Sequence, residues 1–453
     1  MAVWPAGCSR ASSAGKVFRR VFIANRGEVA ERVSRTCRRM GITPVVAVTD
    51  PDVGAAWLAH VEVARIGGPR AYLDADAIIA AARSTRCSAL HPGWGFLSEN
   101  ALFAARLEQE RVRFVGPSPD AIRRMGDKAV AKATLKALGL PLIPGSDGPV
   151  ENPEAALRVA DEVGYPVLVK ARSGGGGRGM RRVAAPAEMA AAFGEATAEA
   201  ASAFGDGALY LEKLIEKGRH IEFQVLGDRH GNVVHLGERE CSVQRRHQKL
   251  LEESPSPVLT STDRAVMGER VVEACRRAGY YGAGTVEMLR DEQGNLYFME
   301  MNTRLQVEHP VTEMVTGLDL VELMLRGAAN EVVRPQWRSE GHAIECRINA
   351  EDDDFRPVPG VVHRLRLPTG EGIRVDTWLR EGDRIPPQYD SMVAKVIAHG
   401  PDRATAISRM QAALAELVVE GVPTSKAIQE RVLRSEGFRS GNYDTTLLAG
   451  LLG

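Results

Sequence analysis

A predicted β-hairpin in the second half of the chain constrains its fold more than any other segment. Residues 284–289 and 296–300 are mostly apolar or β-branched, and residues 291–295 between them form a strong turn signal. A tight turn centred on the Gln-Gly pair of that signal predicts that Glu287 lies directly opposite Glu300. The segment therefore predicts an antiparallel strand pair in which two acids are neighbours.

Charged or amide residues alternate with apolar ones from residue 300 to Pro310. On a β-strand this spacing places the polar side chains on one face, and these are Glu300, Asn302, Arg304, Gln306 and Glu308. Like charges opposite each other are destabilising unless a cation bridges them, and Mg²⁺ prefers carboxylate and amide oxygens beside substrate phosphates. We therefore interpret Glu287, Glu300 and Asn302 as metal ligands of a nucleotide site. The alternative is a solvated face on which Arg304 and Glu308 form a surface ion pair.

The composition argues against several classes of partner. Lys plus Arg and Asp plus Glu both number 58, so the chain has no basic field for non-specific nucleic-acid binding. Its longest apolar runs are far shorter than the roughly 18 residues that span a bilayer. The six cysteines, at positions 8, 37, 87, 241, 275 and 346, contain no CxxC pair. We therefore expect a cytoplasmic protein with no nucleic-acid or membrane partner.

The order of predicted elements divides the 453 residues into several domains, of mixed α/β and α+β class. The first domain is Rossmann-like but has no GxGxxG sequence after its first strand, so a bound dinucleotide is not expected. A helical connection from Pro119 to Ala137 forms a linker to the rest. The predicted ranges are a disordered extension at 1–16, the Rossmann-like domain at 17–115, the linker at 116–141, a small lid at 142–214 and a larger region at 215–453.

A glycine-rich loop at residues 173–180 joins two predicted strands of the lid. Consecutive glycines let backbone N–H groups approach a polyphosphate and let a loop open and close. The loop is not a Walker A sequence, and a flexible connector is the alternative interpretation. Lys170 and Lys128 favour phosphate binding only if both reach the phosphates.

A second polar cluster occupies residues 238–249 and continues to Glu252 and Glu253. A solvated charge run is the simplest explanation of such a segment. Its density of cationic side chains also suits a small anionic substrate, which Lys249 and a neighbouring arginine could hold against the γ-phosphate of a nucleotide.

Together these segments resemble biotin carboxylase, a member of the ATP-grasp superfamily, from about Val21 almost to the C terminus. The resemblance implies a Rossmann-like N-terminal domain, an ATP-grasp fold with the glycine loop in its lid, and a C-terminal biotin carboxylase domain. The blocks that carry it are residues 23–28, 91–100, 125–128, 173–180, 244–249, 301–310 and 345–352.

The family carboxylates biotin with ATP and bicarbonate, through carboxyphosphate. The resemblance therefore implies an ATP-dependent ligase, the biotin carboxylase subunit of an acetyl-CoA or other acyl-CoA carboxylase. The chain has no Met-Lys-Met biotinylation signature. We accordingly expect the biotin carrier protein and the carboxyltransferase to be separate chains. The family also allows a homodimer, although Arg39 stands where an acid is common on the first helix.

The resemblance assigns roles to individual residues. Those implied to contact the nucleotide are Lys128, Lys170, Gly176 and Gly177 at the phosphates, with Glu212, Lys213, Ile215, His220, Gln244 and His247 around the adenosine. Glu287, Glu300 and Asn302 are implied to bind two Mg²⁺ or Mn²⁺ ions, and Lys249, Arg304, Gln306 and the backbone N–H of Val307 to hold bicarbonate. Glu308 is the implied general base, and Arg347 the implied stabiliser of the biotin enolate.

Other interpretations of these residues stay open at this point. Glu308 could pair with Arg304, and Arg347 could be a structural arginine tied to neighbouring acids. The whole chain could be another ATP-grasp ligase that traps an acyl phosphate with an amine, or a non-catalytic assembly subunit. Departures from the family pattern are few, and they lie at Arg39, Trp94, residues 172–173, Ser254 and Ser256.

Overall fold

Residues 17–115 form a parallel sheet with connecting helices, as their alternating pattern predicted. The computed structural model describes residues 17–171 and 180–452. The strands are β1 (Arg20–Ile23), β2 (Thr43–Thr49), β3 (Glu62–Gly67), β4 (Ala89–His91) and β5 (Arg113–Phe114), and the helices are α1 (Gly27–Arg39), α2 (Ala75–Ser84) and α3 (Ala101–Gln109). The sheet order is β3-β2-β1-β4-β5. Its central strands are buried on both faces, because helices cover both sides of a parallel sheet.

The helical connection predicted after the first sheet consists of two helices. They are α4 (Pro119–Gly126) and α5 (Lys128–Ala137). The break falls at Asp127, whose backbone is extended, and its side chain accepts a hydrogen bond from the N–H of Val130 at 3.1 Å. An acid at this position caps a new helix more favourably than it continues the old one.

The lid is a small three-stranded antiparallel sheet covered by two helices. Its elements are α6 (Pro153–Val163), β6 (Val167–Ala171), β7 (Met180–Val183), α7 (Met189–Phe204) and β8 (Leu209–Lys213), with strand order β7-β6-β8. Alanines of both helices pack on Val167, Val169 and Leu211 in a core of their own.

An antiparallel sheet of eight strands runs through the described residues from 219 to 400. The strands are β9 (Arg219–Gly227), β10 (Val233–Arg245), β11 (Gln248–Ser254), β12 (Gly282–Arg290), β13 (Leu296–Asn302), β14 (His342–Asn349), β17 (Ile373–Thr377) and β19 (Met392–Gly400). Their order is β13-β12-β9-β10-β11-β14-β19-β17. Strands from residues 219–302 and from the C-terminal part therefore share one continuous surface.

Helices and short strand pairs surround this large sheet. The helices are α8 (Ser261–Arg277), α9 (His309–Thr316), α10 (Leu320–Ala328), α11 (Arg403–Glu416), α12 (Lys426–Arg434), α13 (Glu436–Ser440) and α14 (Leu447–Leu452). The short pairs are β15 (Gly360–Val361) with β18 (Arg384–Ile385), and β16 (Arg364–Arg366) with β20 (Val418–Glu420). Within the described ranges, no helix is both long and apolar enough to cross a bilayer.

Candidate active site

A row of charged residues crosses four neighbouring strands of the large sheet. Glu300 of β13 pairs with Glu287 of β12, Glu287 pairs with Glu222 of β9, and Glu222 pairs with Arg239 of β10. Glu222, Arg239 and Glu287 are buried. Antiparallel register places such partners about 5 Å apart on one face, so the row forms a continuous polar strip under the site.

The pairing predicted for the two acids of the hairpin is correct, but the turn is centred on Gln293. Arg290 pairs with Leu296, and this register alone would bring Glu287 opposite Met299. Met299 is instead an extra residue, a β-bulge that shifts the strand by one position. The bulge lets Phe298 and Met301, three residues apart, both pack in the same apolar core. The core therefore sets the position of Glu300.

The predicted strand from residue 300 to 308 is wrong beyond Asn302, where β13 ends. Residues 303–308 form an irregular segment that leads into α9, whose first turn contains Pro310. Because proline lacks a backbone N–H and fixes φ, it suits a helix start better than a central strand. The polar and the apolar residues from Leu305 to Glu308 are all buried, so these four residues have no solvated face.

Lys249 is the centre of the charged cluster. Its ammonium group donates to Glu222 Oε2 at 2.6 Å, to Glu287 Oε1 at 2.9 Å and to Glu308 Oε1 at 2.7 Å. Burial would lower the pKa of Lys249, but these three carboxylates raise it well above its ordinary value. Lys249 is therefore a permanent cation, and each of its three N–H groups donates to a glutamate from a different segment.

Glu308 lies between two cations and is 1% exposed. Its second oxygen accepts a hydrogen bond from Arg347 Nη2 at 3.0 Å. Burial would raise the pKa of Glu308, but Lys249 and Arg347 hold it well below the usual range. The predicted alternative, a surface ion pair with Arg304, is wrong.

Arg304 instead organises the segment that follows β13. Its Nε donates to Glu99 Oε2 at 2.9 Å, Nη1 to Gln306 Oε1 at 2.8 Å and Nη2 to Asn302 Oδ1 at 3.0 Å. Glu99 also accepts the backbone N–H of Thr303 at 2.9 Å. An acid of the first domain thus anchors the segment that carries the predicted bicarbonate ligands.

A buried lysine holds the peptide group between Val307 and Glu308 by a hydrogen bond. Lys395, which is fully buried, donates to the carbonyl oxygen of Val307 at 2.7 Å, and its Nζ lies 2.8 Å from Glu28 Oε1. The N–H of Val307 makes no hydrogen bond to any residue within 17–171 or 180–452. That N–H is accordingly available to an anion.

The oxygen donors at the end of the hairpin fit a hard divalent cation. Glu287 and Glu300 face each other, and Asn302 lies two residues further along the same strand face as Glu300. Burial would raise the pKa of Glu287, but Lys249 and His220 hold it far below its ordinary value, so this carboxylate is ionised at neutral pH. Two carboxylates and an amide oxygen are the ligand types that Mg²⁺ and Mn²⁺ take in phosphate sites.

Several predicted nucleotide residues lie at the junction between the lid and the large sheet. Lys170 donates to Glu212 Oε2 at 2.7 Å, and Lys132 of α5 pairs with the other oxygen of that carboxylate. Lys213 donates to the carbonyls of Gly164 and Tyr165 at the end of α6, at 2.9 and 2.7 Å. Ile215 is half-buried in the connection from β8 to β9. The side chains of Glu212 and Lys213 are thus engaged within the lid and its neighbours.

His220 connects the residues predicted at the adenosine to Glu287, a predicted metal ligand. Gln244 Nε2 lies 2.8 Å from His220 Nδ1, and His220 Nε2 lies 2.9 Å from Glu287 Oε2. His247 is exposed in the turn between β10 and β11, with a positive φ of 66°. Gly176, Gly177 and the side chain of Lys128 lie outside the described residues.

The polar cluster at 238–249 is not a solvated run in its first part. Glu238, Arg239, Glu240, Glu252 and Glu253 are all fully buried. Ser254 and Ser256, two of the departures from the family pattern, donate to the carbonyl of Glu238 and to Glu240 Oε2, at 2.8 Å each. Sequence reasoning missed Glu222 and Lys395, which carry no motif of their own and approach the site only through strand order. It also gave no role to Glu99, although this residue lies in the block at residues 91–100.

Family models match almost the whole chain. The model described as "Biotin carboxylase, N-terminal domain" matches residues 17–122, "Carbamoyl-phosphate synthase L chain, ATP binding domain" matches residues 127–335, and "Biotin carboxylase C-terminal domain" matches residues 345–450.

Full-length relatives agree with these matches. The chain is 50% identical to the biotin carboxylase of Nostoc sp., covering 95% of this chain and 98% of that one, and 48% identical to biotin carboxylase 1 of Bacillus subtilis, with the same coverage of 95% and 98%. Its structure is similar to the biotin carboxylase domain of Hydrogenobacter thermophilus 2-oxoglutarate carboxylase, which was solved as a dimer in complex with MgADP, ADP and bicarbonate. The TM-score is 0.90 and the sequence identity is 45%, and the match covers 96% of this chain and 99% of that one. The chain belongs to the biotin carboxylase family, the ATP-dependent ligases that carboxylate biotin.

Proposed function

We propose that this chain carboxylates biotin on a carrier protein, using ATP and bicarbonate, at the cluster around Lys249. The observation that carries the proposal is the position of Glu308, a buried carboxylate held between Lys249 and Arg347 beside the acids of the hairpin. A base, an anion-binding cation and an oxyanion stabiliser are thereby in direct contact. This combination suits the activation of a small acidic anion next to a second substrate.

Nucleotide and metal binding fall to the residues at the lid junction and the hairpin. Glu287, Glu300 and Asn302 would hold Mg²⁺ or Mn²⁺, which when bound neutralises phosphate charge during transfer. Lys170 would exchange its contact with Glu212 for a phosphate oxygen, since both partners compete for the same ammonium group. The lid is proposed to span residues 142–214, between a first domain at 17–115 with its linker at 116–141 and a larger region at 215–453.

Bicarbonate would lie against the segment after β13. Arg304 and Gln306 are mutually hydrogen-bonded there, and the N–H of Val307 makes no internal bond among the described residues. Lys395 holds the carbonyl group of Val307 in place, so the N–H of Val307 is oriented before the substrate binds. Lys249 would provide the charge that holds bicarbonate near the γ-phosphate.

Glu308 would accept the bicarbonate proton as a bicarbonate oxygen attacks the γ-phosphate and ADP leaves, giving carboxyphosphate. Its low pKa keeps it in the ionised form that a base requires, but also makes it a weak base. Binding of an anion to Lys249 would weaken the pair between Lys249 and Glu308 and raise the basicity of Glu308. Arg347 would then face the oxyanion that develops on the biotin ureido group.

The biotin carrier and the carboxyltransferase are proposed to be separate subunits of an acetyl-CoA or other acyl-CoA carboxylase. Arg39 donates to Asp319 and Glu322 of its own chain, at 2.8 and 2.6 Å. Its departure from the family pattern is thus compensated internally, and this arrangement does not argue against a homodimer.

ADP release by the purified chain tests the proposal. With Mg-ATP and free biotin, we expect release to depend on bicarbonate and biotin, and to fall at least about 100-fold in Glu308→Gln, because the base is lost. Glu292→Gln, at an exposed position of the hairpin turn, is the matched control. ADP release that does not depend on bicarbonate or biotin would favour a different ATP-grasp ligase. No ADP release even with a biotinylated carrier would favour a non-catalytic protein.

A further inference from the structure

Two buried glutamates lie directly across from each other next to Arg347. Glu252 of β11 pairs in register with Glu345 of β14, and both are fully buried. Glu252 Oε1 accepts Arg347 Nε at 2.6 Å and lies 2.5 Å from Nη2. Neither oxygen of Glu345 accepts a hydrogen bond from any described residue. The two acids are equally buried, but only Glu252 accepts a hydrogen bond from Arg347, and it does so through Oε1, since its Oε2 has no partner among the described residues.

Two carboxylates this close in a dry interior do not both ionise, because their repulsion is not screened by water. The guanidinium of Arg347 favours the charged form of Glu252. The cation nearest Glu345 on the next strand is Lys395, which pairs with Arg347 in register but donates to the carbonyl of Val307 and lies 2.8 Å from Glu28. The proton of the pair accordingly belongs on Glu345.

We propose that Glu252 is a positioning residue that holds Arg347 by charge, and that Glu345 beside it is kept as a neutral carboxylic acid. This inference rests on the proposed role of Arg347 toward biotin. Glu252 and Glu308 engage Nε and Nη2 of the guanidinium, whereas Nη1 makes no hydrogen bond to a described residue. Fixing the first two nitrogens leaves Nη1 oriented and available for a substrate oxygen.

The electrostatic surroundings favour the proton on Glu345, and they leave Glu252 fully ionised only above about pH 7. Burial raises the pKa of Glu252 to about 7 and raises that of Glu345 well above its ordinary value. The charged groups acting on the pair from the sheet and from α1 are Arg347, Glu308, Lys249, Lys395 and Glu28. Helix α9, which packs against β14, adds His309 and Glu313. Burial keeps the pKa of His309 well below its usual value, so that ring is neutral, and Glu313 is paired with Arg32 and Arg374.

Matched substitutions on the two strands test the inference, because Glu252→Gln and Glu345→Gln remove the same group at equally buried positions. Loss of a charge-assisted hydrogen bond predicts that Glu252→Gln lowers biotin-dependent turnover about 10- to 100-fold. ATP cleavage without biotin should change far less. Biotin-dependent turnover of the parent should rise with pH through about 7, as Glu252 ionises, and Glu252→Gln should lose this dependence. Glu252→Asp, which keeps the charge, should restore part of the rate.

Glu345→Gln should keep turnover within about twofold of the parent, because glutamine replaces a neutral acid of the same shape. The unfolded chain releases the Glu345 proton above about pH 4.5, whereas the folded protein retains it. This group therefore lowers the stability of the parent as pH rises, and the variant lacks that contribution. The free energy of unfolding of Glu345→Gln should thus exceed that of the parent by an amount that grows from pH 5 to pH 8. A constant difference over that range would mean that Glu345 is ionised and would overturn the assignment.

The remaining outcomes are also decisive. If Glu252→Gln folds, as judged by thermal melting and Mg-ATP binding, but keeps parental biotin-dependent turnover and pH profile, Glu252 does not position Arg347. If it does not fold, Glu252→Asp and the Glu345→Gln pH series decide the question. Parental enzyme without biotin-dependent turnover would instead refute the proposed function, while the pH series would still test the protonation of Glu345.

Discussion

Glu287 and Glu300 face each other across β12 and β13, and the extra residue Met299 sets this register. Glu287 is also held by Lys249, Asn302 and Gln306, so its position depends on three other segments of the site. A substitution that removes the charge of one predicted metal ligand is therefore expected to weaken metal affinity while the protein stays folded.

Glu300→Gln should raise the Mn²⁺ concentration needed for half-maximal ADP binding at least about tenfold, because one anionic ligand becomes neutral. Titration of Mn²⁺ by electron paramagnetic resonance in the presence of ADP measures this. Glu292→Gln in the same hairpin should leave the titration unchanged. An unaltered titration in Glu300→Gln, with normal thermal melting, would remove Glu300 from the ligand set.

Lys249→Met should lower the free energy of unfolding by about 3 kcal/mol and abolish turnover, because three buried carboxylates lose their shared cation. Urea unfolding at pH 7 is the measurement. Adding Glu308→Gln to this variant should recover part of the stability, since one uncompensated charge is removed. Stability at or above the parental level in the single variant would contradict the central role given to Lys249.

Glu253 makes the stability of the C-terminal part sensitive to acid. Burial would raise its pKa, but hydrogen bonds from His342 and Arg403 lower it to about 2, and Tyr443 donates to the same carboxylate. Because this pKa is below the unfolded value of 4.5, the carboxylate stabilises the fold above pH 4.5, by about 3 kcal/mol, and the contribution is lost as pH falls toward 2.

Glu253→Gln should accordingly be less stable than the parent at pH 7, and the difference should shrink between pH 4.5 and pH 2. Denaturant unfolding at a series of pH values provides the comparison. Glu416→Gln, at an exposed acid, is the control and should show no such trend. A difference that is independent of pH would show that packing, and not charge, accounts for the loss.

Glu99→Gln should raise the KM for bicarbonate about 2- to 10-fold with little change in unfolding, because Arg304 loses the charged acceptor of its Nε. Steady-state ADP release at varied bicarbonate measures the effect. Glu108→Gln, on the exposed surface of α3, should leave KM unchanged. A lower kcat at unchanged KM would place the effect of Glu99 on chemistry instead of binding.

The local parts of the site were predictable from the sequence alone. The hairpin, the lid strands and the parallel first sheet all depend on turn chemistry and on periodicity over a few residues. The resemblance to a known family added the roles predicted for the reactive residues. None of these signals depends on contacts between distant segments.

The tertiary structure decided which charges meet. Lys249 binds Glu222, Glu287 and Glu308 because β9, β11, β12 and the segment before α9 converge on one face, an order that no short segment encodes. It also decided that β13 ends at Asn302 and that a bulge at Met299 aligns the acids, since core packing of Phe298 and Met301 outweighs simple alternation. Strand order and core packing are sums over long-range contacts, whereas alternation and turns are local, so the sequence by itself determined the elements and the fold determined the charge network that they form.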